Sequence, residues 1–242
     1  MNRQAQAAVL FLTGAAVLRA GLSDLYLRYV KAGLRPFLLA AGIVLIATAV
    51  ATVWYELRRP RAAREGGPEA GGGSAGAHHE PRISWLWLLP LFALILVSPP
   101  PLGSYSAMHT GTALQEPLGY PALPAGDPLP LGLADYAGRA AYDHGHSLGD
   151  RHVRITGFIA LDSDGAPFLT RMTLNCCAAD ASPVKVGLAG RIPPVLQPDS
   201  WFEVTGTYTD KRTRDPVNGG VIPFIDVLEA RPVPVPSNEY GD

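Results

Sequence analysis

Cysteine is nearly absent. The 242 residues contain two, Cys176 and Cys177, and they are neighbours. Adjacent Cα atoms stand about 3.8 Å apart, too close for an ordinary disulfide, so no disulfide framework staples this chain. Charge is also sparse. Charged residues make up 17% of the sequence and the formal net charge is −1, leaving no basic surplus for a nucleic-acid partner. A P-loop, a G-x-S-x-G elbow, an H-E-x-x-H helix and a dinucleotide fingerprint are all missing. With no catalytic signature, the expectation is a protein that is not an enzyme.

What is present is unevenly distributed. Residues 1–102 hold ten Lys/Arg and five Asp/Glu, a net of +5; residues 103–242 hold ten and sixteen, a net of −6. A basic, apolar first part therefore precedes an acidic second part, which is a poor polyanion binder.

Three apolar stretches lie in the first part. Pro36–Tyr55 runs for twenty residues without a charge, the length needed to cross a hydrocarbon core about 30 Å thick. Trp54 and Tyr55 at its end suit the interface. Ala5–Leu22 is interrupted only by Arg19, whose side chain can snorkel to the headgroups. Its weakly basic start and poor cleavage site favour an uncleaved helix over a signal peptide. The third stretch starts at Ile83 and runs through Trp85, Trp87 and Pro90 to three prolines at 99–101. Two spans within 1–57 and a third at 83–102 are thus expected. The connection between the first two carries Arg28, Lys31 and Arg35. The opposite side carries Arg3, Arg58, Arg59, Arg61, Arg64 and Arg82. That bias predicts a multi-pass cell-membrane protein with a cytoplasmic N-terminus and an extracytoplasmic C-terminal domain.

Residues 58–82, rich in Gly, Ala and Pro, read as a disordered linker, and His78 and His79 at its end read as solvated. Residues 103–130 hold five prolines beyond Leu102 and read as an extended tether. The domain proper is expected over 131–242. A short helix is predicted at Leu133–Tyr142, with Asp135 as its cap. Five β-type runs follow: His152–Ala160, Pro167–Leu174, Val184–Ala189, Trp201–Tyr208 and Val221–Leu228. Asp162–Gly165 marks a hairpin turn, and Gly157 and Gly206 are available for bends. The expected fold class is a membrane α-helical N-terminal half plus an all-β domain, an OB-like five-stranded barrel or else a small β-sandwich.

Two clusters can carry chemistry. One is Cys176, Cys177 and Asp180, directly after the second strand; the other is His144 and His146, just before the barrel. Thiolate and imidazole together suit zinc, so these five residues form the candidate metal site. Against it, neighbouring strand residues point to opposite faces, so both sulfurs reach one ion only if the backbone turns. Cysteine also packs well as a small hydrophobe, and no C-x-x-C completes a standard site. Arg171, on the strand leading to the cysteines, either favours thiolate or is a surface charge. Catalytic residues and cofactor-binding residues are not assigned.

The segments YLRYVKAGLRPFLLAAGIVLI at 26–46, HH…WLWLLPLFALILVSPPPLG at 78–103 and GFIALDSDGAPFLTRMTLNCCAADASPVKV at 157–186, with Trp201–Gly206, resemble the YcgQ-like family of bacterial permease subunits. The run from Arg171 through Cys176 and Cys177 to Asp180 is its most specific part. The resemblance implies a multi-spanning permease as partner and, through zinc-responsive repression of actinobacterial members, a role in zinc or related metal handling. The alternative is a stand-alone, membrane-anchored thiol, redox or metal-binding protein.

Overall fold

A computed structural model describes residues 3–58 and 100–240. These fall into two compact units. One contains residues up to Tyr26 and from Ala32 onward to Pro100; the other contains Leu27–Lys31 and the chain from Pro101. The 58–82 linker beyond Arg58, with His78 and His79, and the third span up to Pro99 lie outside the described residues.

The first unit is a helical hairpin, α1 (Arg3–Leu22) and α2 (Arg35–Arg58). Pro36 sits in the first turn of α2, where its missing N–H is not needed. The stretch Ala32–Arg58 is long and apolar enough to cross a membrane; the apolar part of α1, Gln6–Leu22, is shorter. Small residues let the helices approach. A Cβ on Gly14 would lie 2.8 Å from Ile46 Cγ1 and 3.0 Å from the Gly42 carbonyl, and one on Gly42 would lie 2.7 Å from Leu18 Cγ. Ala7 and Ala49 continue the seam one heptad away on each helix and are buried. Phe37, Ile43, Val44, Val53 and Trp54 stay exposed on α2, an apolar surface of the kind a membrane helix turns outward. The Thr48 and Thr52 hydroxyls are satisfied on the carbonyls one turn back. Arg35 donates to the Gly21 carbonyl at 3.0 Å.

In the second unit, α3 (Ser104–His109), β1 (Leu129–Pro130) and α4 (Leu133–Ala141) precede β2 (Val153–Leu161), β3 (Pro167–Thr173), β4 (Ser182–Gly190), β5 (Trp201–Arg214) and β6 (Val221–Pro232). The order is β2-β3-β4-β6-β5, and β5 returns to β2 through pairs from Val153↔Gly206 to Phe158↔Trp201. That last pairing closes a five-stranded barrel and removes the sandwich alternative. Only β4 and β6 run parallel among the five; the connectivity is that of an OB-like barrel. β1 adds to β2 in parallel. Gly206 lies at a register shift in β5, where a side chain would collide with the Asp226 carbonyl.

Two cores result. Inside, Ile155, Leu169, Val186, Val204 and Ile225 pack with Leu133 and Tyr136 of α4, which plugs the barrel. Outside, Phe158, Ala160, Met172 and Trp201 of β2, β3 and β5 are covered by Ala107 of α3 and by Tyr240. Phe158 and Trp201 meet edge to face at 5.8 Å. β2 is therefore buried on both faces from Phe158 to Ala160.

Residues 103–130 correct the expectation of a tether: they belong to the barrel unit and strap it. Prolines lack N–H donors, so little of this segment can join a ladder; Leu129 does, donating to the His152 carbonyl at 2.8 Å, and the other carbonyls still need partners. Side chains from the barrel supply them. Lys185 Nζ donates to the Thr110 carbonyl at 2.9 Å, Tyr142 to Leu114 at 3.2 Å, and Arg139 to Pro121 at 2.9 Å. Arg151 donates to Pro124 at 2.6 Å and Gly126 at 2.8 Å. Arg139 is only 2% exposed, with Tyr120 under its guanidinium. Asp135 proves to be its partner at 2.9 Å rather than a helix cap; Gly132 takes the cap position.

Candidate metal centre

β3 and β4 are joined by an eight-residue loop, 174–181, whose base is closed by the Thr173↔Ser182 pair and by the Thr173 hydroxyl on the Ser182 carbonyl at 3.0 Å. The chain bends at Asn175 and Cys176, then makes a single 3-10 turn over Ala178–Asp180. Asp180 organises this loop. Its Oδ1 accepts the Asn175 N–H at 3.1 Å and its Oδ2 accepts the Cys176 N–H at 2.9 Å. An Asp is well suited to this task because a short carboxylate can accept several nearby N–H groups at once.

The bend resolves the difficulty of adjacent cysteines pointing apart. Cys176 Sγ and Cys177 Sγ stand 3.6 Å apart as free thiols. One ligand atom from each of Cys176, Cys177 and Asp180 lies within 4.8 Å of the other two. Two thiolates each at ~2.3 Å from one zinc in tetrahedral geometry are separated by roughly 3.8 Å, so the spacing fits a single ion with little adjustment. Cys176 is exposed and Cys177 and Asp180 are half-buried. A four-coordinate ion held by these three donors would have one position left for solvent.

Electrostatics hold the proton on Cys176 and keep Asp180 ionised. The Cys176 thiol donates to the Asp180 carboxylate, and this bond, with the Cys177 contact, some burial and the carboxylate charge, pushes its pKa up to about 11. The same bond, helped by the backbone N–H groups, holds Asp180 below the usual carboxylate range. A thiol held this way is a weak nucleophile at neutral pH.

Of the five residues singled out by sequence, Cys176, Cys177 and Asp180 converge; His144 and His146 do not join them. The Asp143–His146 stretch is the turn that leaves α4. Gly145 adopts a positive φ of 73°, with its N–H on the Arg139 carbonyl at 3.0 Å, and a Cβ there would strike the Tyr208 ring. Asp143 accepts the Ser147 N–H at 2.7 Å, and His144 pairs through Nδ1 with Arg212 at 3.1 Å. These imidazoles are turn residues rather than ligands of the cysteine cluster. Arg171 lies over the Trp201 ring at 5.4 Å and donates to the Asn238 carbonyl at 3.1 Å. It ties β3 to the C-terminal segment.

Sequence reading missed a polar groove of about 360 Å³, lined among others by Asp127, His152, Arg154, Glu203, Glu229 and Arg231. Its charges largely neutralise each other: Arg231 reaches Glu203 at 2.5 Å and His152 reaches Asp127 at 2.9 Å. Only pairing across strands creates it, since these residues are far apart in the chain.

No curated protein and no solved structure matches the chain. The barrel and its cysteine loop do match a family model, which supports the YcgQ-like resemblance for this part of the molecule: residues 139–241 match the DUF1980 C-terminal domain.

Proposed function

We propose that this is a membrane-anchored accessory subunit of a multi-spanning permease, and that its barrel domain presents an open zinc site made by Cys176, Cys177 and Asp180. The observation that carries the reading is the convergence of two thiols and a carboxylate at one-ion spacing. Sulfur donors select zinc over calcium or magnesium. An incomplete ligand set favours exchange over permanent storage, which suits a subunit that hands an ion on. The protein has no catalytic role in this reading.

The membrane part supports an accessory rather than a self-sufficient transporter. Transport paths are usually built near the bilayer midplane from repeated multi-helix units, and two or three spans are too few. The proposed topology is multi-pass, with a cytoplasmic N-terminus and the barrel outside, on the strength of the Lys/Arg bias. A redox reading is disfavoured by the proton that Asp180 holds on Cys176.

The test has two arms. Zinc titration of the full chain in detergent, beside Cys176→Ser/Cys177→Ser, should show micromolar or tighter uptake that the double variant loses. Affinity purification from native membranes should recover a polytopic partner. Equal uptake by both proteins removes the metal role, and recovery of the chain alone removes the permease.

A further inference from the structure

Between α1 and α2 the chain passes through Tyr29, Val30 and Lys31, and these residues belong to the barrel unit. Their main chain pairs with the cysteine loop. The Lys31 N–H donates to the Cys176 carbonyl at 3.0 Å, and the Ala178 N–H donates to the Tyr29 carbonyl at 2.7 Å. Val30 stands opposite Cys177 as an antiparallel bridge. Arg28 approaches Glu239 at 3.8 Å beside it. The residues gripped are the two thiol bearers and the first residue of the turn that carries Asp180.

We infer that Tyr29–Lys31 is the positioning strand of the metal site, and that zinc binding and strand docking are linked. This rests on the metal reading above. Asp180 holds the loop from within through the N–H groups of Asn175 and Cys176. The strand holds it from the other side through the Cys176 carbonyl and the Ala178 N–H. With both in place the bend cannot open, and the sulfurs stay at the spacing one ion needs. Without the strand, those two main-chain groups turn to water and the sulfurs are free to separate. Partners that orient ligands typically change metal affinity 10–100-fold when lost. Because linkage is reciprocal, zinc tightens the docking of the strand by the factor that the strand adds to zinc affinity. The site is therefore complete only in a chain that includes the α1–α2 connection.

The experiment uses the full chain in detergent micelles, with cobalt(II) and zinc as probes. Lys31→Pro removes the N–H that meets Cys176; Lys31→Ala keeps it. The expected result is thiolate-to-cobalt charge-transfer absorption in the wild type, affinity lowered at least tenfold in Lys31→Pro with an altered spectrum, and rescue to within about twofold in Lys31→Ala. In the unmutated chain, zinc should slow amide exchange at Lys31 and Ala178, which guards against a Lys31→Pro chain that fails to fold. An unchanged affinity and spectrum in Lys31→Pro, or zinc-independent exchange at both amides, overturns the inference. Should the wild type take up neither metal, the metal reading falls. The positioning claim is then judged on alkylation of Cys176 and Cys177. Faster alkylation in Lys31→Pro than in Lys31→Ala sustains it, and equal rates end it.

Discussion

Lys185 Nζ lies 2.7 Å from Asp215 Oδ2, and neither side chain is exposed at all. The pair stands where the strap meets the barrel: Lys185 also donates to the Thr110 carbonyl, and Asp215 accepts the N–H groups of Thr112 and Val217 at 2.9 and 2.8 Å. Charges taken out of water in this way need such additional bonds to be tolerated. Lys185→Met leaves Asp215 buried without its cation and should cost about 3–5 kcal/mol, read as a lowered unfolding midpoint of the full chain. Lys185→Met combined with Asp215→Leu should recover part of that loss. A single variant as stable as the wild type would contradict the role assigned to the pair.

Stability should follow pH through the same carboxylate. Burial acts to raise Asp215, but the Lys185 hydrogen bond, the Val217 N–H, the Lys185 charge and the Thr112 N–H together bring it below the usual range. A depressed folded pKa means its contribution is fully present above the unfolded value, about 3.9, and is lost as pH falls through the folded value. Asp215's contribution should be constant from neutral pH to about pH 5 and fall away only below that. The check is unfolding midpoints between pH 7 and 3 for the wild type beside Asp215→Asn, whose profile should be flatter in the acid range.

Asp180→Asn should act twice on the metal centre. It removes the anion that holds the Cys176 proton, so the thiol pKa drops from about 11 toward its ordinary value and alkylation at pH 8 accelerates. On the proposed zinc reading it also removes a ligand and loosens the loop, so zinc affinity should fall 10–100-fold. Faster alkylation with unchanged zinc uptake would leave Asp180 as a loop organiser only. In the wild type, zinc affinity should weaken by roughly tenfold per pH unit for each proton displaced.

Arg139→Met tests the strap. The guanidinium is buried against Asp135, the Pro121 carbonyl and the Tyr120 ring. Its loss leaves the Pro121 carbonyl without this donor, at a cost of about 1–3 kcal/mol. Limited proteolysis should cut between Leu114 and Pro124 in the variant while the barrel resists. Equal protection of that segment in both proteins would place the strap's stability elsewhere.

Gly42→Leu tests the helical hairpin. Even a Cβ there would lie 2.7 Å from Leu18, so a larger side chain should force α1 and α2 apart. Helix content by circular dichroism should persist in detergent, while the hairpin's thermal midpoint falls. An unaltered midpoint would show that the seam is not where the helices gain their packing.

The amino-acid sequence by itself determined the parts whose physics is local. Pro36–Tyr55 has no charge to keep it in water, and it forms the long apolar helix. The alternation in 152–160, 167–174 and 201–208 is a period-2 signal, and β2, β3 and the start of β5 lie there to within a residue. The cysteines and Asp180, only four residues apart at most, were legible as one group because a single bend suffices to gather them. Tertiary structure decided whatever depends on partners distant in the chain. Pro117, Pro121, Pro124 and Pro128 make their segment look like a free tether because a proline has no N–H to donate; Arg139, Arg151 and Lys185 reach its carbonyls from distant positions in the barrel unit. His144 and His146 look like ligands until the turn after α4 commits His144 to Arg212, 68 residues away. No local pattern marks Tyr29–Lys31 as a partner of Cys176–Ala178, because a β-bridge joins backbone groups that every residue carries, and only the folded chain selects which of them meet.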